Sequence, residues 1–207
     1  MKKTKINQIL NFLNTEFPEA KCELEYSTPY QLLVAVILSA QCTDKRVNMV
    51  TKELFNVAPT PKKMLELGEE RLKQIIHSCG FYNNKAKSII SATKCIINDF
   101  DGQVPNTMEQ LSSLAGVGRK TANVVLAEAF NQPSIAVDTH VHRVSKRLGL
   151  TSLNSTPEKC EQDLLKLVPT QNQAKFHIQT VWFGRYHCKA LNPKCETCKL
   201  KDICKRK

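Results

Sequence analysis

The reading of this chain turns on LAGVGRKTANVV, residues 114–125. Two glycines, Gly116 and Gly118, stand one residue apart, and Arg119 and Lys120 follow just where an apolar helical pattern resumes. A lysine in the first turn of a helix is electrostatically out of place, because the exposed N–H groups there carry partial positive charge that repels an ammonium. Two arrangements resolve this: an anion occupies that end, or the lysine works without its proton. Leu111 and Leu114 before the glycines, with Ala122, Val125 and Leu126 after them, describe a helix, a tight Gly-x-Gly turn and a second helix, and the small Ala122 allows close packing. Glycines let backbone N–H groups approach a ligand, and a phosphate at a helix N-terminus is held by dipole and hydrogen bonds together.

The whole chain points the same way. At 207 residues, with 42% hydrophobic and 24% charged residues, it can bury a core in one domain or two small ones, which excludes disorder. Its 30 Lys and Arg against 19 Asp and Glu leave a formal charge of +11, which favours a polyanionic partner, either nucleic acid or an anionic membrane surface. No run reaches the roughly 18 apolar residues that span a bilayer, and no signal-peptide core follows MKKTKINQIL. The expectation is an intracellular, cytoplasmic protein, where thiols stay reduced.

Helical spacing recurs along the chain: Ile6, Ile9, Leu10, Leu13 and Phe17; Val47, Val50, Leu54 and Phe55; Leu72, Ile75, Ile76 and Cys79; Ala86, Ile89, Ile90, Ile96 and Ile97. Thr28-Pro29, Thr60-Pro61 and Thr156-Pro157 each set a capping hydroxyl before a proline at the first helical position. Thr107 and Gln110 read as a capping box, and Gly80 as the stop after Cys79. PYQLLVAVILSA is apolar on all sides and predicts a central buried helix, and no segment alternates as a strand. The fold class expected is all-α. On glycine spacing alone, residues 111–126 are an ordinary helical hairpin or a helix-hairpin-helix, which binds the DNA backbone without reading sequence.

Four of the nine cysteines crowd the C-terminal end as Cys188-x6-Cys195-x2-Cys198-x5-Cys204, whereas Cys22, Cys42, Cys79, Cys95 and Cys160 lie in apolar stretches and read as core. Four thiolates at this spacing can wrap a zinc ion or an iron–sulfur cluster, and ligand count does not separate the two. Disulfides are the poorer reading in a reducing compartment. Residues 185–207 hold eight Lys and Arg against two Asp and Glu, a surface suited to phosphates.

With LAGVGRKTANVV, the stretches AVDTHVHRV, ILSAQCTD, GFYNNKAKSI and GRYHCKALNPKCETCKLKDIC make the chain resemble, over essentially its whole length, the endonuclease III family of iron–sulfur helix-hairpin-helix DNA glycosylases. The resemblance implies that Cys188, Cys195, Cys198 and Cys204 hold a [4Fe–4S] cluster rather than zinc. It implies two helical lobes around a central cleft: a six-helix barrel domain with the helix-hairpin-helix over residues 22–132, and a discontinuous cluster domain made of 1–21 with 133–207. It implies a monomer, associated with the nucleoid, that acts on damaged double-stranded DNA and not on membranes.

The activity implied is base-excision repair: removal of oxidised pyrimidines by a DNA glycosylase whose AP lyase function then nicks 3′ to the abasic site. Lys120 falls at the family's nucleophile and Asp138 at its catalytic carboxylate. A helix N-terminus and partial burial both favour the neutral amine, which answers the question of the misplaced lysine. Asp138, ahead of Val141 and Val144 at helical spacing, also reads as a plain N-cap, and the two roles are compatible. Gln41 resembles the residue that fills the space left by a flipped base, and Phe81 the tip of the wedge on the opposite strand, with core packing the competing reading of Phe81. Gly116, Gly118, Arg119, Lys189 and Lys194 face phosphates on this reading, and His140 falls where the family keeps a histidine, with a structural role as its rival.

Ala115 stands where many members have proline, Cys42 replaces a small residue common after the glutamine, and Phe81 is bulkier than the usual aliphatic. Two other functions compete. A mismatch-specific glycosylase shares the fold and cluster, and a non-catalytic DNA-binding module would use the hairpin and basic segment for phosphates alone.

Overall fold

Threonine–proline pairs start three of the helices. Thr28, Thr60 and Thr156 accept the N–H groups of Gln31, Lys63 and Lys159 at 3.2 to 3.3 Å, and the proline behind each takes the first helical position. The structure, a computed structural model, describes residues 2–206, and every regular element among them is helical. The chain forms two compact units: the continuous stretch Cys22–Phe130, and a second that joins α1 (Lys2–Glu16) to the chain from Asn131 on.

The continuous unit is built around α2 (Pro29–Ser39), which is buried without a break from Tyr30 to Leu38. Only a helix apolar on every face can stand there, which is what its sequence describes. Around it lie α3 (Asp44–Val57), α4 (Pro61–Leu67), α5 (Glu69–Ile76), α6 (Tyr82–Asp99), α7 (Met108–Ser113) and α8 (Arg119–Phe130), and α2, α6 and α8 contribute most of the shared core. Gly68, at φ +78, both ends α4 and precedes α5.

Two local expectations need correcting. Cys79 does not extend α5, and Gly80 is not its stop: the helix ends at Ile76, and the Cys79 N–H closes a turn onto the Ile76 carbonyl at 2.8 Å. The left-handed residue that reverses the chain is Phe81, at φ +58. At α7 only half of the capping box forms. Thr107 accepts the Gln110 N–H, but its hydroxyl donates to the Gln110 side chain, which therefore does not return to the Thr107 backbone.

In the second unit, α1 packs on α10 (Pro157–Leu167) and α11 (Gln173–Trp182), with α9 (Thr139–Arg147) alongside. Ile6, Ile9, Leu10 and Leu13 of α1 share a core with Val141, Val144, Leu164 and Phe176. Polar bonds fix the N-terminal helix to chain more than 150 residues away. The buried Gln179 amide donates to the Leu13 and Phe17 carbonyls at 3.2 and 3.1 Å, and Lys5 Nζ donates to the Ile203 carbonyl at 2.9 Å. A buried amide so placed orients α1 as well as holding it.

Candidate active site and thiolate centre

Lys120 lies where the sequence places it, in the first turn of α8, behind a turn that runs from Leu114 to Gly118. Gly116 is demanded by the fold twice over. Its φ is +77, and a Cβ there would sit 2.8 Å from Ser88 Cβ on α6 and 3.6 Å from Ile37 on α2. Gly118 is different: its φ is ordinary and a Cβ would meet nothing within 4 Å. Its carbonyl accepts the Ala122 N–H at 2.9 Å, which makes it the N-cap of α8, and it brings no side chain to cover the first-turn N–H groups. Gly116→Ala is therefore expected to cost about 2–4 kcal/mol, read as a fall in Tm. Gly118→Ala should stay within about 0.5 kcal/mol of the parent and show its effect only in weakened binding to undamaged duplex. Lys120 is exposed, not partly buried as the amine chemistry led us to expect, so its amine leaves water only beneath whatever docks on this turn.

Gln41 and Phe81 carry a signal that sequence patterns do not show. Among the described residues five non-glycine positions have positive φ; Asp101, Asn131 and Asn192 are of types that tolerate it, whereas Gln41 (φ +53) and Phe81 (φ +58) are not. Such strain of about 1–3 kcal/mol persists only where surrounding structure imposes it, and it gathers at ligand-handling sites. The two loops are neighbours, since a Cβ built on Gly80 lies 3.8 Å from the Gln41 carbonyl oxygen. Both side chains are exposed, Phe81 to 64%, so core packing is not its role.

Lys85 was absent from the expected site and supports it. The side chain is buried and Nζ donates to the Leu38 carbonyl at 2.8 Å, setting a cation on the C-terminal end of α2 immediately before Gln41. Its signal in the sequence is a lysine within the apolar stripe Ala86, Ile89, Ile90.

In the second unit Asp138 is the N-cap of α9, its Oδ1 accepting the Val141 N–H at 2.8 Å. The cap engages one carboxylate oxygen. His140 follows on the same turn, and the Arg143 guanidinium donates to its Nδ1 at 3.2 Å, which leaves the ring proton on Nε2 in the neutral form. Arg143 also donates to the Gly184 carbonyl at 2.7 Å and the Cys188 carbonyl at 3.2 Å. Gly184 is glycine because a Cβ would lie 2.8 Å from His140 Cβ. These contacts hold the His140 ring in place on this turn.

Cys188, Cys195, Cys198 and Cys204 are free thiols lining one cavity of about 600 Å³. Arg147 ties the ends of the set together: it donates to the Cys188 sulfur at 3.3 Å and to the Lys189 and Ala190 carbonyls at 2.7 and 3.2 Å, while its own carbonyl accepts from the Cys204 thiol at 3.4 Å. Burial, and after it the charges of Cys188, Cys204 and Cys195, raise the Cys198 thiol above its ordinary value. His187 Nε2, buried without a hydrogen-bond partner, belongs to a residue lining the same cavity. Among the described residues no three His, Cys, Asp or Glu side chains converge closely enough to grip one ion. Lys189 and Lys194 are exposed on the segment that connects the first two cysteines.

A glycine hairpin with a lysine at the head of its second helix, a helix-capping aspartate and four cysteines lining one cavity mark a helix-hairpin-helix protein. The match is explicit: residues 34–170 fit the model of the HhH-GPD superfamily of base excision DNA repair proteins. Endonuclease III of Bacillus subtilis (strain 168) is 48% identical over 196 residues, covering 95% of this chain and 90% of that protein. A solved structure of a trapped endonuclease III–DNA covalent intermediate superposes with a TM-score of 0.94 at 45% identity, covering 99% of this chain and 96% of the other. A thermostable thymine-DNA glycosylase is more distant, with a TM-score of 0.85 and 26% identity over 99% of this chain and 95% of the other. The chain belongs to the endonuclease III family of the HhH-GPD superfamily. No helix of the described residues is long and apolar enough to cross a membrane.

Proposed function

We infer that Lys120 is the nucleophile of this enzyme, a base-excision DNA glycosylase with associated AP lyase activity, and that oxidised pyrimidines are its substrates. The observation that carries the assignment is an exposed amine at the head of α8, behind a glycine turn that leaves space for a phosphate. That a relative has been trapped in covalent complex with DNA supports a covalent route here. The neutral amine attacks C1′ of the damaged nucleotide, and the base leaves with the bonding pair and takes up a proton. Opening of the sugar gives an iminium ion between Lys120 and C1′. Loss of a C2′ proton then expels the 3′ phosphate, and water releases the amine. Asp138 supplies the carboxylate that offsets positive charge developing at the sugar.

Gln41 and Phe81 occupy the opened duplex on this reading. Extrusion of a base costs a few kcal/mol, least for a damaged pair, and two exposed side chains, each on a residue held in the left-handed conformation, are suited to hold the gap. Gly116, Gly118, Arg119, Lys189 and Lys194 meet phosphates. The protein acts as a nucleoid-associated monomer inside the cell, on damaged duplex, through the continuous barrel domain that carries the hairpin and the discontinuous domain that carries the cysteines. Nicking of duplexes bearing thymine glycol, dihydrouracil, oxoguanine, a G·T mismatch or an abasic site tests this: oxidised pyrimidines and the abasic site should be cut fastest. Preference for G·T would favour the mismatch reading, and binding without nicking the non-catalytic one.

The four cysteines fit a [4Fe–4S] cluster. They are free thiols that line one cavity, the soft donor set such a cluster takes. A cluster there would supply positive charge that holds four thiolates together and folds the basic segment. Purified protein should be yellow-brown with about four iron and four sulfide per chain. Cys195→Ser should lower iron content and weaken binding to duplex, while Cys160→Ala, which empties a core position, should cost stability without iron. One zinc per chain, or equal iron loss in both variants, would overturn the assignment.

A further inference from the structure

Gln41 and Phe81 stand on different elements, one just beyond the end of α2 and the other just before the start of α6, and one buried residue bonds to both places. Lys85 lies four residues after Phe81, and its backbone N–H closes the first turn of α6 onto the Phe81 carbonyl at 3.0 Å. Its side chain crosses to α2, where Nζ donates to the Leu38 carbonyl at 2.8 Å, three residues before Gln41. Neighbouring carbonyls of that helix end are served locally: the Ser39 hydroxyl donates to Val36 at 2.8 Å and the Cys42 N–H to Ser39 at 3.1 Å. Only the Leu38 bond reaches to another helix. A lysine 6% exposed is a costly choice for it, because burying an ammonium is unfavourable unless hydrogen bonds offset the loss of water. Packing alone does not call for lysine, since methionine fills similar apolar space.

We propose that Lys85 is a positioning residue for base extrusion: by holding the end of α2 to the start of α6 it fixes Gln41 and Phe81 relative to each other, so that both enter an opened duplex together. It touches no nucleotide and acts through those two side chains. Both sit at positive φ, a conformation neither residue type favours, so local propensity does not keep them there and tertiary ties must. A cap drawn from the loop after α2 would serve the Leu38 carbonyl equally well, yet it would leave the turn at Phe81 independent of Gln41. The lysine from α6 links the two. This role rests on the reading of Gln41 and Phe81 above, and it precedes attack by Lys120.

The test uses a duplex with 2-aminopurine opposite thymine glycol, mixed with excess protein, so that fluorescence reports unstacking of the opposite base and nicking is read in the same sample. Lys85→Met keeps the apolar stem and loses the bond to Leu38. Its fluorescence rise should shrink and its single-turnover nicking fall about tenfold, whereas borohydride trapping on an abasic duplex, which has no base to extrude, should fall less than about threefold. The decisive comparison is a cycle with Gln41→Ala and Phe81→Ala combined. In that background Lys85→Met should cost little further, whereas a residue that only stabilises the fold would cost the same factor in both. Equal factors, or an unchanged fluorescence rise in Lys85→Met, would overturn the role. A full rise in the protein carrying Gln41→Ala and Phe81→Ala would remove the gap-filling reading, and this role with it. Should Lys85→Met fail to fold, Lys85→Gln, whose shorter side chain does not span the same distance, is judged by the same outcomes.

Discussion

Replacing Lys120 by glutamine is expected to abolish borohydride trapping of the protein on lesion-bearing duplex and to lower strand nicking by at least about 10⁴-fold. Reduction freezes an imine, and only an amine forms one. Glutamine keeps the length and polarity of the side chain, and α8 should survive, because Lys120 is exposed and its N-terminal position gains nothing from a positive charge. Binding to damaged duplex should persist, weakened by little more than one phosphate contact. Arg119→Gln is the matched control: the same turn loses a cation without losing the nucleophile, so binding should become less salt-dependent while trapping remains. Full trapping by the Lys120→Gln protein would move the chemistry to another amine and leave the hairpin a phosphate clamp.

How far the sequence reveals such a site depends on whether the partners are close along the chain. Thr28, Thr60 and Thr156 are legible because a cap and the N–H it accepts are three residues apart. The hairpin is legible for the same reason, and so is the α9 cap by Asp138. Gly116 and Gly118 look alike in sequence but differ in the fold, because the clash that forbids a side chain at Gly116 comes from Ser88, on another helix. Lys85 shows only as a lysine within an apolar stripe, because the carbonyl it holds is 47 residues away, and Arg147 is silent because its partners lie 41 to 43 residues on. The misread stop at Gly80 has a different origin. Glycine is the residue best suited to a left-handed turn, but tertiary contacts place that conformation one residue later, at Phe81, where composition gives no warning. Strain imposed by the fold is what propensity cannot report.

Asp138 is where a structural and a catalytic role coincide, and two substitutions separate them. Asparagine caps a helix about as well as aspartate, so Asp138→Asn should keep the bond from the Val141 N–H and change stability by only a few tenths of a kcal/mol. It removes the carboxylate charge, and if that charge steadies the sugar as the base departs, turnover should fall by about 10²–10⁴-fold. Asp138→Ala removes cap and charge together. It should lose the same turnover and in addition about 1 kcal/mol of stability, read as a lower Tm of the cysteine-bearing unit. The comparison turns on the asparagine variant. A stable Asp138→Asn protein with crippled turnover and intact binding assigns the carboxylate to catalysis, whereas a stable one with full turnover, beside an unstable alanine variant, reduces Asp138 to the cap of α9.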